Sequence, residues 1–175
     1  MSKKKIEEIS LRGRIAYAIM CIEAYLKNEY PNKNWMILSQ KMWEATNSSL
    51  EEWFFSFKEF IPEFVFEFQN YEASDFEYIS KNDYYYLTKL YQDVKNDVNE
   101  LLQLLNWIVE LYLYTAIPGI GKDSIDIIKK IEKYLISRKV ILPDLQKISF
   151  SKFSELHGWG NCFDGTYLSI ILNNH

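Results

Sequence analysis

The chain has 175 residues, 48% of them hydrophobic and 25% charged, a composition that excludes an intrinsically disordered protein. Its formal net charge of −4 weighs against a nucleic-acid-binding protein, because such proteins usually carry a basic excess that neutralises phosphates. The scarcity of glycine and proline, with 6 and 4 residues, favours long helices over a sheet with many turns.

The sequence also limits the compartment in which the protein works. No segment has the roughly 18 consecutive apolar residues that a membrane-spanning helix needs. Cys21 and Cys162 are far apart, and a secreted domain of this size often carries more cysteines. We therefore expect a cytoplasmic protein with two free, buried thiols and no membrane contact; one disulfide bridge is the less favoured alternative.

Helical spacing of apolar residues predicts two helices at the start of the chain. The first covers about residues 6–27, and its apolar side chains recur every three or four positions. A turn that contains Pro31 then leads to a second helix over about residues 35–45.

Capping residues and a proline predict the next elements. Ser48 and Ser49 each precede a glutamate by three positions, which is the spacing of a capping box, so a third helix should begin near Leu50. Pro62 lacks a backbone N–H and clashes with the preceding turn, so we expect a break there or the start of a new short helix. Residues 71–80 are predicted to be irregular or to form one more short helix.

The strongest periodic signal follows this region. Apolar residues step by three or four positions from Leu87 to Tyr112, and no proline or glycine interrupts residues 83–116. This pattern predicts one long helix over residues 83–115 at the centre of a bundle. A further helix is predicted over about residues 122–138, followed from Leu145 by an ordered, non-helical tail that has room for a short strand. The predicted fold is a single all-α domain over residues 1–175, an irregular bundle around the long helix.

The stretch IPGIGKDS, at residues 117–124, allows two interpretations. Two glycines before an isoleucine-rich helix resemble the hairpin of helix-hairpin-helix modules, which hold a nucleic-acid backbone. The alternative is a helix C-cap in which Gly119 or Gly121 takes a left-handed conformation. Because Asp123, Asp126 and Glu132 offset the nearby lysines, we favour the C-cap.

The string HGWGNCFDG, at residues 157–165, holds a histidine, a cysteine and an aspartate within eight residues. A cysteine nucleophile needs a positioned base, and zinc needs about four ligands, whereas the chain has 2 histidines and 2 cysteines. We therefore interpret His157, Trp159 and Asp164 as parts of a structural turn, and we expect no catalytic residue, metal or cofactor. Catalysis by Cys162 and His157 stays a lesser alternative.

The segment from Glu44 to Glu77 contains nine acidic residues and one basic residue, Lys58, among many aromatic side chains. Aromatic rings can anchor a protein partner while carboxylates attract a basic surface. The alternative is a solvated acidic face over an aromatic core. Three of the acids repeat at four-residue spacing and would share one helix face if the helix continued through Pro62. The predicted partner-binding residues are Glu52, Glu59, Glu63, Glu67, Tyr71, Asp75 and Glu77.

The order of several motifs is similar to a known group of proteins. These motifs are RGRIAYAIMCIEAYL, LEEW, IPE, a glycine turn before an isoleucine-rich helix, and HGWGNCFDG. Over roughly residues 6–164 the chain resembles the all-helical immunity proteins of bacterial polymorphic-toxin systems. The resemblance implies a cytoplasmic protein without enzymatic activity that binds and blocks a toxin domain, but it assigns no contact residues.

The sequence thus predicts an immunity protein that binds a basic toxin domain through the acidic and aromatic segment. The alternative is a small nucleic-acid-binding or regulatory module that uses the turn at residues 117–130. The sequence does not indicate the oligomeric state.

Overall fold

The computed structural model describes residues 6–94, 97–113 and 121–173, and the side chains within these ranges except those of residues 121–122. These residues form an all-α fold, as predicted, and they contain no strand; one isolated antiparallel bridge joins Ile9 and Lys152. Seven α-helices lie wholly within these ranges: α1 (Leu11–Glu29), α2 (Met36–Trp43), α3 (Leu50–Lys58), α4 (Pro62–Val65), α5 (Lys81–Asp93), α6 (Val98–Leu113) and α7 (Gly121–Ser137). None of the described helices is long and apolar enough to cross a membrane.

Polar residues just before the helices fix where several of them begin. The Ser10 hydroxyl accepts a hydrogen bond from the Gly13 amide at 3.0 Å, and the Ser49 hydroxyl accepts one from the Glu52 amide at 3.4 Å. Such caps satisfy backbone donors that have no partner inside the helix. Pro62 is the first residue of α4, where its missing N–H is not needed. The predicted cap at Ser49 and the predicted break at Pro62 are therefore both confirmed.

The central helix of the fold is α1. Every residue from Leu11 to Leu26 is buried except Ala24, which is half-buried. Helices α2, α6 and α7 all pack against α1, and α6 also packs against α7 and α3. The predicted central helix over residues 83–115 was therefore wrong in its position, because a single apolar stripe buries one face of a helix, whereas α1 is buried nearly all round, its charged residues Arg12, Arg14 and Glu23 included.

The predicted long helix is also divided into two. Helix α5 ends at Asp93 and α6 begins at Val98, and residues 95–96 lie outside the described residues. The Asp97 carbonyl accepts the first hydrogen bond of the new helix, from the Leu101 amide at 3.1 Å. Aspartate favours this capping position over a helix interior, because its side chain competes for backbone hydrogen bonds. Val94 and Val98 keep the helical spacing of apolar residues on both sides of the break, so this spacing did not reveal that the helix ends.

The segment after α7 packs along the bundle and contains three short 3₁₀-helices, Leu145–Ile148, Leu156–Gly158 and Thr166–Leu168. Its backbone is bonded to the start of the chain, since the Ser10 amide donates to the Ser151 carbonyl at 2.9 Å and the Phe153 amide donates to the Glu8 carbonyl at 2.8 Å. Gly160 lies so close to this start that an added Cβ would be 2.1 Å from the Ser10 hydroxyl.

A buried carboxylate connects the C-terminal segment to two helices. Glu23 of α1 is fully buried, and its side chain accepts hydrogen bonds from the Trp43 indole at 2.8 Å, the Ser169 hydroxyl at 2.6 Å and the Ile170 amide at 2.8 Å. The Ser39 hydroxyl of α2 donates a further hydrogen bond to it. These four donors replace the water that a buried carboxylate loses.

The predicted glycine turn at residues 117–124 lies partly outside the described residues. Residues 114–120 lie outside the described residues, and so does the predicted cap at Gly119. Gly121 is the first residue of α7, so it opens this helix.

Replacing Glu23 should test whether this carboxylate holds the C-terminal segment in place. Glu23→Ala leaves three buried donors and one part-buried donor without their acceptor, so we expect a loss of roughly 3–4 kcal/mol in the free energy of unfolding. Glu23→Gln should lose less, because its amide oxygen still accepts hydrogen bonds. Urea denaturation followed by tryptophan fluorescence measures both variants.

The matched control for this experiment is Glu67→Ala, because the Glu67 side chain is exposed. It should change the free energy of unfolding by less than about 0.5 kcal/mol. Equal losses in Glu23→Ala and Glu67→Ala would contradict the structural role of Glu23.

Candidate functional site

A surface pocket of about 300 Å³ lies between the end of α3, helix α4 and the following loop, residues 66–80. We call it the acidic pocket. Its charged lining consists of Glu59, Glu67, Asp75, Glu77 and Lys58. Its aromatic lining consists of Phe55, Phe64, Phe68, Phe76 and Tyr78. The pocket thus brings together acids that are up to 18 positions apart in the sequence.

One of these acids holds the wall of the pocket in place. The two carboxylate oxygens of Glu59 accept hydrogen bonds from three successive backbone amides, those of Glu77 at 2.9 Å, Tyr78 at 2.7 Å and Ile79 at 2.8 Å. Hydrogen bonds to a carboxylate are stronger than those between neutral groups. Glu59 therefore fixes the end of the loop against the end of α3.

Tyrosines fix other parts of the same loop. The Tyr71 hydroxyl donates to the Ile79 carbonyl at 3.1 Å, and the Tyr84 hydroxyl of α5 donates to the Phe68 carbonyl at 3.4 Å. The rings of Phe68 and Phe76 meet edge to face with centroids 5.4 Å apart, which is a favourable aromatic geometry. The loop wall is therefore held by both polar and aromatic contacts.

An ion pair at the edge of the loop adds one more restraint. The Lys81 ammonium contacts the Glu72 carboxylate, and the Tyr85 hydroxyl donates to the same carboxylate at 3.1 Å. The hydrogen bond from Lys81 lowers the pKa of Glu72, and the same bond raises the pKa of Lys81. Both side chains are exposed, so solvent screens this pair and its contribution to stability is small.

The other three acids of the pocket have no such bonds. The carboxylates of Glu67, Asp75 and Glu77 make no hydrogen bond or ion pair with any residue in the described ranges, and all three residues are exposed. Carboxylates that stabilise a fold are normally paired or bonded to the backbone. These three instead present uncompensated negative charge at one cavity.

Lys58 is the basic residue in the lining of the acidic pocket. Its ammonium lies 4.9 Å from the centre of the Phe64 ring and 5.5 Å from the centre of the Phe54 ring. A cation at this distance from a ring face is attracted by the negative charge of the π-system. The aromatic wall therefore already holds one cationic group.

The aromatic side chains around the pocket divide between core and surface. Trp53 and Phe57 stack with ring centroids 5.0 Å apart, and both are buried. Phe55 and Tyr78 line the pocket and are 52% and 50% exposed. Phe66, in the neighbouring turn, is 44% exposed. Some rings of this segment therefore reach solvent beside the carboxylates.

The structure gathers four of the seven predicted contact residues, Glu59, Glu67, Asp75 and Glu77, around the acidic pocket. Tyr71 is a half-buried residue of the loop itself that does not line the pocket, and its hydroxyl is used in a hydrogen bond. Glu52 and Glu63 are exposed but do not line the pocket.

The expected helix face that would carry Glu59, Glu63 and Glu67 does not form. Helix α3 ends at Lys58, before all three, and α4 covers only Pro62–Val65, so no helix contains more than one of these residues. Pro62 causes this break. Glu59 and Glu67 meet at the pocket because the loop folds back on the end of α3, and not because they share a face of one helix.

Sequence reasoning missed two aromatic residues of the pocket, Phe76 and Tyr78, and the position of Lys58 against the rings. Phe76 and Tyr78 flank Glu77, and an aromatic residue on each side of an acid is a signal that could have drawn attention to them. The position of Lys58 against two rings depends on α3 and α4 meeting, and no sequence pattern indicates it.

The string HGWGNCFDG forms a bent segment across the start of α1. His157 has a positive φ of 56°, as do Gly158 and Gly160 with 97° and 82°. The Trp159 carbonyl accepts a hydrogen bond from the Arg12 amide at 3.0 Å, and the half-buried Trp159 ring packs against the core. This part of the string connects the C-terminal segment to α1.

The end of the string makes local and long-range hydrogen bonds. The Asp164 carboxylate accepts bonds from the Thr166 amide at 3.0 Å and the Thr166 hydroxyl at 2.6 Å, and these bonds lower the pKa of Asp164. The Phe163 amide donates to the Thr46 carbonyl at 2.8 Å. These contacts are those of a structural turn.

Metal binding and cysteine catalysis each need several side chains close together. In the described part of the chain, no three side chains of the types His, Cys, Asp or Glu come close enough to hold one metal ion. Both cysteines are free, but only Cys21 is buried; the predicted burial of Cys162 was wrong, because the C-terminal segment leaves its side chain exposed. No hydrogen bond between Cys162 and His157 occurs among the described residues.

Replacing Glu59 should loosen the loop without unfolding the bundle. Glu59→Ala removes the acceptor of three amides, so hydrogen exchange at residues 77–79 should become about tenfold faster or more, and the free energy of unfolding should fall by about 1–2 kcal/mol. Hydrogen exchange measured by NMR and urea denaturation test these two effects.

The control is Glu63→Ala, which removes an exposed acid outside the pocket lining. It should leave exchange at residues 77–79 unchanged. Unchanged exchange in Glu59→Ala would show that the three hydrogen bonds do not hold the loop.

Comparison with known proteins gives no family for this chain. No protein-family model, no curated protein and no solved structure matches it.

Proposed function

We propose that this protein binds a basic protein domain through the acidic pocket, and that the partner is a toxin domain that it neutralises in the cytoplasm. The observation that carries the proposal is the convergence of Glu67, Asp75 and Glu77, which have no described bonding partner, on a pocket with exposed aromatic rings.

The charge and the rings suit two stages of protein association. Uncompensated carboxylates attract a basic surface from a distance and speed the encounter. Rings such as Phe55 and Tyr78 can then lose their contact with water and provide the buried anchors typical of protein interfaces. A solvated acidic face that only aids solubility does not require exposed aromatic rings at its centre.

The rigidity of the pocket also supports a binding role. Glu59, Tyr71 and Tyr84 hold the loop before any partner arrives. Preformed sites bind more tightly, because less conformational entropy is lost on association. The proposal that the partner is a toxin rests on the resemblance of the motif order to bacterial immunity proteins.

The nucleic-acid alternative has less support. Negative charge at the acidic pocket repels phosphates, and Lys129 of α7 pairs with Asp126 at 3.0 Å. Residues 117–120 of the proposed hairpin lie outside the described residues. This alternative therefore stays a prediction from the sequence.

Co-expression tests the proposed function directly. The full chain should restore growth to cells that express a toxin domain encoded by a neighbouring gene, and the two proteins should co-purify as a complex. Failure of the chain to protect against every neighbouring toxin-like domain would remove the support for this function.

Neutral isosteres of the pocket acids should weaken the complex. In the triple variant Glu67→Gln, Asp75→Asn, Glu77→Gln we expect a Kd at least about tenfold higher, because each lost charge contact costs about 0.5–1 kcal/mol. Calorimetry with the purified toxin domain measures this change in Kd. The Kd of the triple variant should also depend less on salt concentration than the Kd of the wild type.

The matched control carries the same change in net charge elsewhere, Glu8→Gln, Glu110→Gln, Asp123→Asn. These residues are exposed or half-buried and do not line the acidic pocket. The control should bind nearly as well as the wild type. Equal weakening in both triple variants would point to a general effect of net charge and contradict a local docking site.

A further inference from the structure

We infer that the acidic pocket receives an arginine side chain of the partner, and that Lys58 competes with this side chain by its charge. The inference rests on the proposed function for the identity of the partner, but the chemistry of the pocket can be tested without it.

The charges in the pocket are unbalanced once the bonds of each acid are considered. Glu59 is bonded to three backbone amides. Glu67, Asp75 and Glu77 remain without a described partner, and Lys58 is the single base that faces them in the lining. Amide hydrogen bonds do not neutralise the charge of Glu59, so four carboxylates against one ammonium leave the lining with a formal charge of −3. An additional cation is therefore the occupant with complementary charge.

The aromatic wall is suited to a cationic group. The Lys58 ammonium lies 4.9 Å from the Phe64 ring centre, so the wall already stabilises one positive charge. Phe68, Phe76 and Tyr78, all residues of the loop, provide further ring surface in the lining. Lys58 makes no ion pair with a described residue, so it leaves the carboxylates of the pocket unpaired. A second cation could therefore contact rings and carboxylates at the same time.

The size of the pocket favours a side chain over a metal ion or a cofactor. Its volume of about 300 Å³ is at the lower limit for pockets that hold small molecules, roughly 300–1,000 Å³. No three acidic side chains in the described residues come close enough to hold one metal ion. The carboxylates therefore surround a wider cation than a metal.

Arginine matches this combination better than lysine. A guanidinium group is planar, so it stacks on rings, and its N–H groups can bind a carboxylate in a bidentate manner. It is also less strongly hydrated than an ammonium group, so it loses less when it enters a partly apolar pocket. Both properties correspond to a lining of five aromatic side chains and four acids.

Lys58 should reduce the affinity for such a side chain. Its ammonium is held against Phe64 and Phe54, in the same pocket that the arginine would enter, so the two like charges repel each other. Lys58→Met keeps an unbranched apolar stem against the rings and removes the charge. This change should strengthen binding of a cation, whereas most substitutions in a binding site weaken it.

NMR titration of the full chain tests the pocket with small compounds. N-acetyl-arginine amide should shift the ring signals of Phe68, Phe76 and Tyr78 and saturate at millimolar concentration. N-acetyl-citrulline amide has nearly the same shape without charge, and it should cause no saturable shift. Shifts with the citrulline compound equal to those with arginine, or no saturable shift with arginine, would overturn the inference.

Titrations of variants and titrations with other cations test the role of Lys58 and the preference for arginine. Lys58→Met should lower the Kd for the arginine compound about two- to fivefold, and the triple variant Glu67→Gln, Asp75→Asn, Glu77→Gln should abolish saturable binding. An unchanged or higher Kd in Lys58→Met, with the native spectrum retained, would refute competition by Lys58. Equal affinity for N-acetyl-lysine amide would refute the preference for arginine, and tighter saturable binding of Mg²⁺ would refute a side chain as the occupant.

The outcomes for the pocket and for the proposed function are separable. Arginine binding without protection from any toxin would support the chemistry of the pocket and contradict the immunity function. If the wild-type chain protects cells from a toxin, the triple variant protects them equally well, and the arginine compound does not bind, the results would support immunity and refute this use of the pocket.

Discussion

The structure depends on α1, a helix that is buried along almost its whole length and still carries charged side chains. Burial of a charge is costly unless its hydrogen bonds are replaced, so other elements must bring partners to α1. Arg14 donates to the Ser124 hydroxyl of α7 at 2.7 Å, and Arg12 donates to the carbonyls of Ala45 and Ser48. Burial lowers the pKa of Arg14 to about 10, which reflects the cost of this position. The polar groups of α1 thus select which segments can pack against it.

The C-terminal segment is part of the same arrangement. Glu23 accepts hydrogen bonds from the Ser169 hydroxyl and the Ile170 amide, while the Arg12 amide donates to the carbonyl of Trp159. An irregular chain has many backbone groups to satisfy, and α1 supplies partners near both of its ends. Two glycines of HGWGNCFDG, Gly158 and Gly160, have positive φ values, and Gly160 lies close against Ser10, so close packing explains their presence in the string.

Carboxylates serve two different purposes in the acidic segment, and their bonds distinguish them. Glu59 is a structural residue because its oxygens accept three amide hydrogen bonds. Glu67, Asp75 and Glu77 have no described partner and surround a pocket with exposed rings, so they supply charge without contributing such bonds to the fold. Glu59, which holds the loop, thus helps to place Asp75 and Glu77, whose carboxylates have no described bonding partner.

The sequence by itself determined the properties that depend on near neighbours. The helical class, the cap at Ser49, the break at Pro62 and the concentration of acids among aromatic residues all follow from local patterns. Tertiary structure decided which helix is central, because burial on all sides depends on what packs around a helix. It also decided which acids meet, because a folded loop, not helical spacing, joins Glu59 and Glu67 to Asp75. Contacts between distant residues depend on the path of the whole chain, and no local pattern specifies that path.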